Sequence, residues 1–213
     1  MTSNQKPLPR RRLLAAGMAA GLAVSESAKA HAPARCGDGG AAATVLTISG
    51  PGVRGNRGPL EPGRDLLLKN HGLSFDSAWT ASATVLDQLA AETIAPHVEY
   101  DSQVHRLSGP LLATVLQAAG VDTARAATQG WWLGLQAIDG YRAQLPLSQA
   151  LRWRMLLATR MDGQRLSLGG LGPQWAVYDA DHIAELADRP LKERFAQAPW
   201  GLYHVGLHTR QPG

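Results

Sequence analysis

Residues 107–120 read LSGPLLATVLQAAG, which is the clearest helix signal of the chain and includes residues that mark both ends of the helix. Ser108 or Gly109 caps the helix, Pro110 opens it, and Gly120 supplies the left-handed residue that ends it. The leucines and valine between them recur at helical spacing and form one apolar stripe. We therefore predict a helix that begins at Pro110, stops before Gly120 and buries this stripe.

Strand signals lie on both sides of this helix. Before it, 44–49 (TVLTIS) is a short β-branched run. After it, 131–138 (WWLGLQAI) ends in Asp139-Gly140, the strongest short hairpin signal, and 141–145 returns from that turn. Further strands are predicted at 155–159, 166–168, 175–178 and 201–208, and further helices at 81–91 and 181–187. We predict an α+β fold, mostly β, in a single compact domain with helices attached to the sheets.

The first thirty residues have the layout of a bacterial export signal. Three arginines at 10–12 precede a short, weakly apolar run at 13–24, and an A-x-A cleavage pattern follows at 28–30. The consecutive arginines favour the twin-arginine route, with an ordinary Sec signal as the alternative. The predicted divisions are a signal peptide at 1–30, a flexible linker at 31–42 and a folded domain at 43–210. We predict a periplasmic protein whose signal is cleaved near Ala30.

Removal of this signal balances the charge of the chain. The signal holds five of the 21 basic side chains and one of the 17 acidic ones, so the remainder carries equal numbers of each. The composition therefore gives no electrostatic support for nucleic-acid binding. No other segment approaches the length that spans a membrane, so no membrane span is expected in the mature chain.

Cys36 is the only cysteine, and it lies in the predicted linker. One cysteine cannot form an internal disulfide. The sequence predicts an exposed thiol outside the folded domain.

The second half of the chain carries an ordered series of short motifs. They are LSGPLL at 107–112, DGY at 139–141, AT and MDG at 158–163, GLGP and WAVY at 170–178, and PWGLY at 199–203. This series resembles the molybdopterin-binding domain of the sulfite oxidase type. It is most similar to the small, exported, single-domain bacterial members described as molybdopterin-dependent oxidoreductases.

The resemblance implies an oxidoreductase that binds a molybdenum cofactor and works with a separate periplasmic redox partner. It also implies a cysteine thiolate within 97–108 and an arginine shortly after the Gly-Pro turn. This chain has no cysteine in that segment, and Gln174 and Trp175 follow the turn. A molybdenum centre here requires oxygen or nitrogen from Asp101, Ser102 or His105, or no side-chain ligand.

The candidate site residues come from three places in the sequence. An Asp–His pair near Asp101 and His105 can move protons or bind a metal, whereas the alternative is a solvated polar hairpin. Tyr141 either packs its ring or borders the cofactor, and the glycines at 169–172 either cradle an anion or form a loop. The predicted cofactor-binding residues are Asp101, Ser102, His105, Arg106, Asp139, Tyr141, Gly170 and Gly172. No catalytic residue and no metal ligand is assigned.

Two histidines of the last predicted strand lie on one face of it. His204 and His208 are four residues apart, which is about 13 Å at the rise of a strand. We expect them to be core or surface histidines that do not chelate one ion together.

Two functions remain open at this point. One is an exported oxidoreductase-like protein that acts on a small-molecule substrate through molybdopterin. The alternative is a non-catalytic periplasmic module on the same fold that binds a ligand, a metal or a partner protein.

Overall fold

The computed structural model describes residues 42–212. The predicted export signal, Cys36 and all but the last residue of the predicted linker lie outside the described residues, so these predictions stay predictions.

The described chain contains eleven short strands and seven short α-helices. In chain order the strands are β1 (Thr44–Ser49), β2 (Ala78–Ser82), β3 (Ala91–Ile94), β4 (Leu107–Pro110), β5 (Trp132–Ala137), β6 (Arg142–Pro146), β7 (Leu156–Ala158), β8 (Arg160–Met161), β9 (Gln164–Arg165), β10 (Trp175–Val177) and β11 (Leu202–His208). The helices are α1 (Leu66–Asn70), α2 (Ala83–Asp87), α3 (Leu112–Ala118), α4 (Thr123–Thr128), α5 (Leu147–Arg152), α6 (Ala184–Ala187) and α7 (Leu191–Arg194), with a 3-10 turn at Ala180–His182.

These strands form three sheets. The main sheet has the order β2-β1-β11-β5-β6, in which β1 and β11 run parallel and the other neighbours antiparallel. A second sheet has the order β3-β4-β8-β9, and β7 pairs with β10 in a third. Helices are attached to the sheets and do not alternate with parallel strands, which confirms the predicted α+β, mostly β class.

The core lies against one face of the main sheet. Alternate residues of its strands point to that face, so Leu46, Ile48, Leu135 and Val205 have no exposed surface. The buried stripe of α3 belongs to the same apolar cluster. Each fully buried leucine or isoleucine of this kind stabilises the fold by roughly 1.5–3 kcal/mol.

The stretch at 107–120 begins as a strand rather than a helix. Residues Leu107–Pro110 pair with β3 on one side and β8 on the other, so the helix starts at Leu112, two residues later than predicted. The predicted stop is present, since Gly120 has φ +90° and ends the helical region. Tertiary pairing therefore overrides the local Ser/Gly-Pro start signal.

Two other sequence predictions differ from the structure. The helix predicted at 81–91 is confined to α2, because β2 extends to Ser82, whose side-chain oxygen then caps the helix by accepting the N–H of Val85 at 3.3 Å. The hairpin predicted around Asp162 joins the two-residue strands β8 and β9, and 166–168 is not a strand. Within the described residues, no helix is long and apolar enough to cross a membrane.

Candidate functional site

The hairpin turn between β5 and β6 forms as the sequence predicts. The side chain of Asp139 accepts the backbone N–H of Tyr141 at 2.9 Å, and the N–H of Gly140 donates to the carbonyl of Ala137 at 3.2 Å. The hydroxyl of Tyr141 donates to the carbonyl of Ala196 at 2.7 Å. This bond ties the turn to the segment after α7 and fixes the tyrosine ring while 47% of it stays exposed.

A cleft of about 280 Å³ lies between this turn, the segment at 99–100 and the segment at 192–200. Rings and charges share its walls. The rings are Tyr100, Tyr141, Phe195 and Trp200, and the charged side chains are Glu99, Asp139 and Lys192. We call this the aromatic cleft. Among the described residues that line it, carboxylates outnumber cations by two to one.

The electrostatics of the aromatic cleft are clearest at Tyr100. Burial and the negative charges of Glu99 and Asp139 raise the pKa of this phenol well above its ordinary value. Tyr100 is therefore neutral and keeps its O–H at any physiological pH. The centroid of its ring lies 6.0 Å from that of Trp175, a fully buried residue, with the two rings tilted by 47°.

Asp101 and His105 lie outside the aromatic cleft, in a separate cluster with Asp162. His105 Nδ1 is 2.6 Å from a carboxylate oxygen of Asp162, and Nε2 is 2.9 Å from one of Asp101. Both carboxylates raise the pKa of His105, Asp162 foremost, and the imidazole lowers the pKa of each carboxyl in return. The cluster joins the 97–105 hairpin to the β8–β9 turn.

Ser102 lies in the same hairpin, and Arg106 directly follows it. Ser102 has φ +60° in the tip of the hairpin, and the backbone N–H of Arg106 donates to Asp162 at 2.9 Å. The charge of Arg106 also lowers the pKa of Asp162, to a smaller extent than the hydrogen bond from His105 does. Among the described residues, no group of three or more His, Cys, Asp or Glu side chains is placed to hold a metal ion.

Gly170 and Gly172 lie in the loop before β10. Their backbone N–H groups both donate to the carbonyl of Ser167, at 3.1 and 3.0 Å. A Cβ atom on Gly172 would lie 2.5 Å from the carbonyl oxygen of Leu166, so the tight path of the loop requires glycine there. The loop is connected to β11 through Gly201, whose N–H donates to Leu171 at 2.9 Å.

The structure thus brings together only two of the eight predicted site residues, Asp139 and Tyr141, in the aromatic cleft. Four others lie in the 97–105 hairpin or directly after it, and the two glycines form a third location. Three further residues line the aromatic cleft that were not predicted from the sequence: Lys192, Phe195 and Trp200. Of these three, Trp200 alone had a signal in the sequence that could have placed it near the site, because it lies in the PWGLY motif at 199–203.

The two positions after the Gly-Pro turn are structural. Gln174 is fully buried, and its amide donates to the carbonyls of Val45 at 2.8 Å and Leu202 at 2.6 Å. Trp175 is also fully buried, and its indole N–H donates to Ala198 at 2.8 Å. Neither side chain presents a positive charge to the aromatic cleft.

Comparison with known proteins agrees with the resemblance seen in the sequence. Residues 89–170 match the family model described as the oxidoreductase molybdopterin binding domain. This match confirms the resemblance to the sulfite oxidase-type domain, and it spans both tyrosines of the aromatic cleft. No curated protein matches the chain.

A solved structure gives a more distant likeness. The sulfane dehydrogenase SoxCD from Paracoccus pantotrophus is 13% identical, with a TM-score of 0.46. The likeness covers 63% of this chain and 36% of the solved chain, so this chain spans little more than a third of that protein chain.

Proposed function

We propose that this protein is an exported, non-catalytic binding module that keeps the molybdopterin-binding fold and uses the aromatic cleft for a small organic cation. One observation carries this proposal: the cleft combines four aromatic rings with the carboxylates of Glu99 and Asp139. Aromatic faces and carboxylates both attract a positive charge. The same features oppose an anionic ligand.

Molybdopterin does not fit these residues. The resemblance implies a thiolate on the metal and an arginine against the pterin, and a phosphate on the cofactor calls for cations. The one cysteine of the chain, Cys36, precedes the described residues. The position implied for the arginine holds the buried Trp175, and the described lining of the cleft has one cation, Lys192, with two carboxylates. These contacts support a module that binds something other than the family cofactor.

Export is part of the proposal and rests on the sequence. The arginines at 10–12, the apolar run at 13–24 and the A-x-A pattern at 28–30 support transport to the periplasm by the twin-arginine route. The balanced charge of the remaining chain suits a protein that binds a small molecule rather than nucleic acid.

An exported oxidoreductase with a separate redox partner is the second candidate function. The family match over 89–170 favours it. The two candidates differ in their ligand, because the enzyme needs the metal cofactor and the module does not. The molybdenum content of the purified protein separates them.

We expect choline to bind the aromatic cleft, and its neutral isostere 3,3-dimethylbutan-1-ol to bind at least about tenfold more weakly. Glu99→Gln and Asp139→Asn each remove one carboxylate and should each weaken choline binding by roughly fivefold. Titration calorimetry on the purified domain measures these affinities.

Glu61→Gln is the matched control. Glu61 is an exposed carboxylate that lies outside the cleft, so its loss should leave choline binding unchanged. Equal affinity for choline and the neutral isostere, or no binding of either, would contradict the assignment of a cationic ligand.

A further inference from the structure

A second cleft lies on the face of the main sheet that points away from the core. It has a volume of about 530 Å³ and shares no lining residue with the aromatic cleft. Strands β1, β11, β5 and β6 supply its floor, and the segment at 72–77 supplies one wall. We call it the sheet-face cleft. Strand alternation places a polar row here, opposite the buried leucines.

Two glycines open the floor of this cleft. Gly134 and Gly206 are paired across β5 and β11. A Cβ atom on Gly206 would lie 3.0 Å from His208 Nε2 and 3.4 Å from His204 Cε1. The imidazoles of His204 and His208 therefore both lie close to Gly206, although the rise of the strand places their backbones far apart. The space that a side chain at Gly134 or Gly206 would fill is therefore occupied by the histidine rings.

His204 is a buried polar group that the proposed function does not use. Only 3% of it is exposed, and its Nε2 lies 2.9 Å from the hydroxyl of Ser49. Its Nδ1 has no hydrogen-bond partner among the described residues. Burial, and to a smaller extent the charges of His208 and Arg142, lower the pKa of His204 to about 4. The imidazole is thus neutral at physiological pH.

Arg142 is held in one orientation on the same face by neutral partners. Its Nε donates to Gln136 Oε1 at 2.8 Å, and its Nη2 donates to the carbonyl of His71 at 2.8 Å. Gln136 is 2% exposed and is itself fixed by donating to the carbonyls of Ala137 and Tyr141. The guanidinium is therefore positioned before any ligand arrives.

The charge of Arg142 is not neutralised by an ion pair. Among the described residues, no carboxylate forms a salt bridge with it, whereas Arg57, Arg154 and Arg194 each have one. Asp76 is the one carboxylate among the described lining residues, and it is exposed. A positioned arginine without a counter-ion is a recognition group for a carboxylate.

We propose that the sheet-face cleft binds a small organic carboxylate. Arg142 pairs with the carboxylate group, and the apolar side chains of Val53, Leu73 and Phe75 contact the organic part. A single fixed cation beside the neutral imidazole of His204 suits one negative charge better than the two or more of a phosphate. The volume accommodates a ligand of metabolite size.

Benzoate is the probe for this site, because it joins one carboxylate to an apolar ring. We expect benzoate to bind in titration calorimetry, while benzamide and inorganic phosphate bind at least about tenfold more weakly. Arg142→Gln should weaken benzoate binding by roughly tenfold or more, and Arg142→Lys, which keeps the charge, should weaken it less. Arg152→Gln removes an exposed arginine outside the cleft and should change nothing.

Several outcomes would overturn this assignment. They are no benzoate binding at about 10 mM, a benzamide or phosphate affinity equal to that of benzoate, and unchanged binding in a folded Arg142→Gln variant. If Arg142→Gln does not fold, the comparison of benzoate with benzamide on the unaltered protein decides alone. The choline titrations use the unaltered protein and variants of the aromatic cleft, so failure of the proposed function is read separately from these results.

Discussion

Gly109→Ala is expected to lower the free energy of unfolding by about 3 kcal/mol or more, a large fraction of the stability of a domain this size. A Cβ atom at this position would lie 2.0 Å from the carbonyl oxygen of Leu157 and 3.0 Å from the Cα of Ala158. Both neighbours are backbone of β7, so neither can rotate away. The methyl group must instead push β4 from β7.

Displacement of β4 would affect every element that meets it. Strand β4 pairs with β3 and β8, and the N–H of Thr159 donates to the carbonyl of Ser108 at 2.9 Å. The start of α3 is also docked on this region, since the N–H of Leu112 donates to Met155 at 2.8 Å. The strand therefore cannot move alone.

Urea denaturation of the domain measures the effect of Gly109→Ala, with Gly58→Ala as the matched control. A Cβ atom on Gly58 meets nothing within 4 Å, so this variant should stay within about 0.5 kcal/mol of the natural protein. An unfolding midpoint for Gly109→Ala equal to that of the control would contradict the close approach of β4 and β7.

The second large effect is a loss of stability between pH 6.5 and 4 that depends on His204. Burial lowers the pKa of this imidazole from 6.5 to about 4 in the folded protein. The unfolded chain therefore binds more protons within that window, and acid favours unfolding. The contribution is fully present above pH 6.5, falls as the pH drops toward 4, and amounts to about 3 kcal/mol.

The difference between the natural protein and His204→Gln isolates this contribution. His105 and His182 have raised pKa values and act in the opposite direction, because their stabilisation is lost as the pH rises. Those groups are common to both proteins and cancel in the comparison. The free energy of unfolding of His204→Gln should fall less steeply from pH 6.5 to 4. Parallel curves for the two proteins would rule out a buried neutral imidazole at this position.

Local signals in the sequence predicted the elements that depend on local chemistry. The β-branched run at 44–49 is β1 with the predicted bounds, and Asp139-Gly140 forms the predicted turn. Gly120 ends α3 as expected. The predicted start of α3 was wrong by two residues, because the backbone at 107–110 pairs with β3 and β8.

The two clefts depend on distant residues and were therefore harder to predict. The aromatic cleft joins 99–100 with 139–141 and 192–200, and short helices such as α7 carry no strong periodic pattern. The sheet-face cleft is shaped by two glycines. Because Gly134 and Gly206 have no side chains, the rings of His204 and His208 both lie close to Gly206. Strand rise describes the separation of backbone atoms and not that of the imidazoles above them.

The molybdenum content of the purified full-length protein distinguishes a binding module from an oxidoreductase. The protein would be purified from cells that make the molybdenum cofactor, beside a molybdoenzyme from the same cells as a control for loading. Molybdenum is measured by mass spectrometry and pterin by fluorescence. If the protein is a binding module, we expect far less than one molybdenum per chain while the control is fully loaded. Near-stoichiometric molybdenum and pterin would contradict it and establish the oxidoreductase instead.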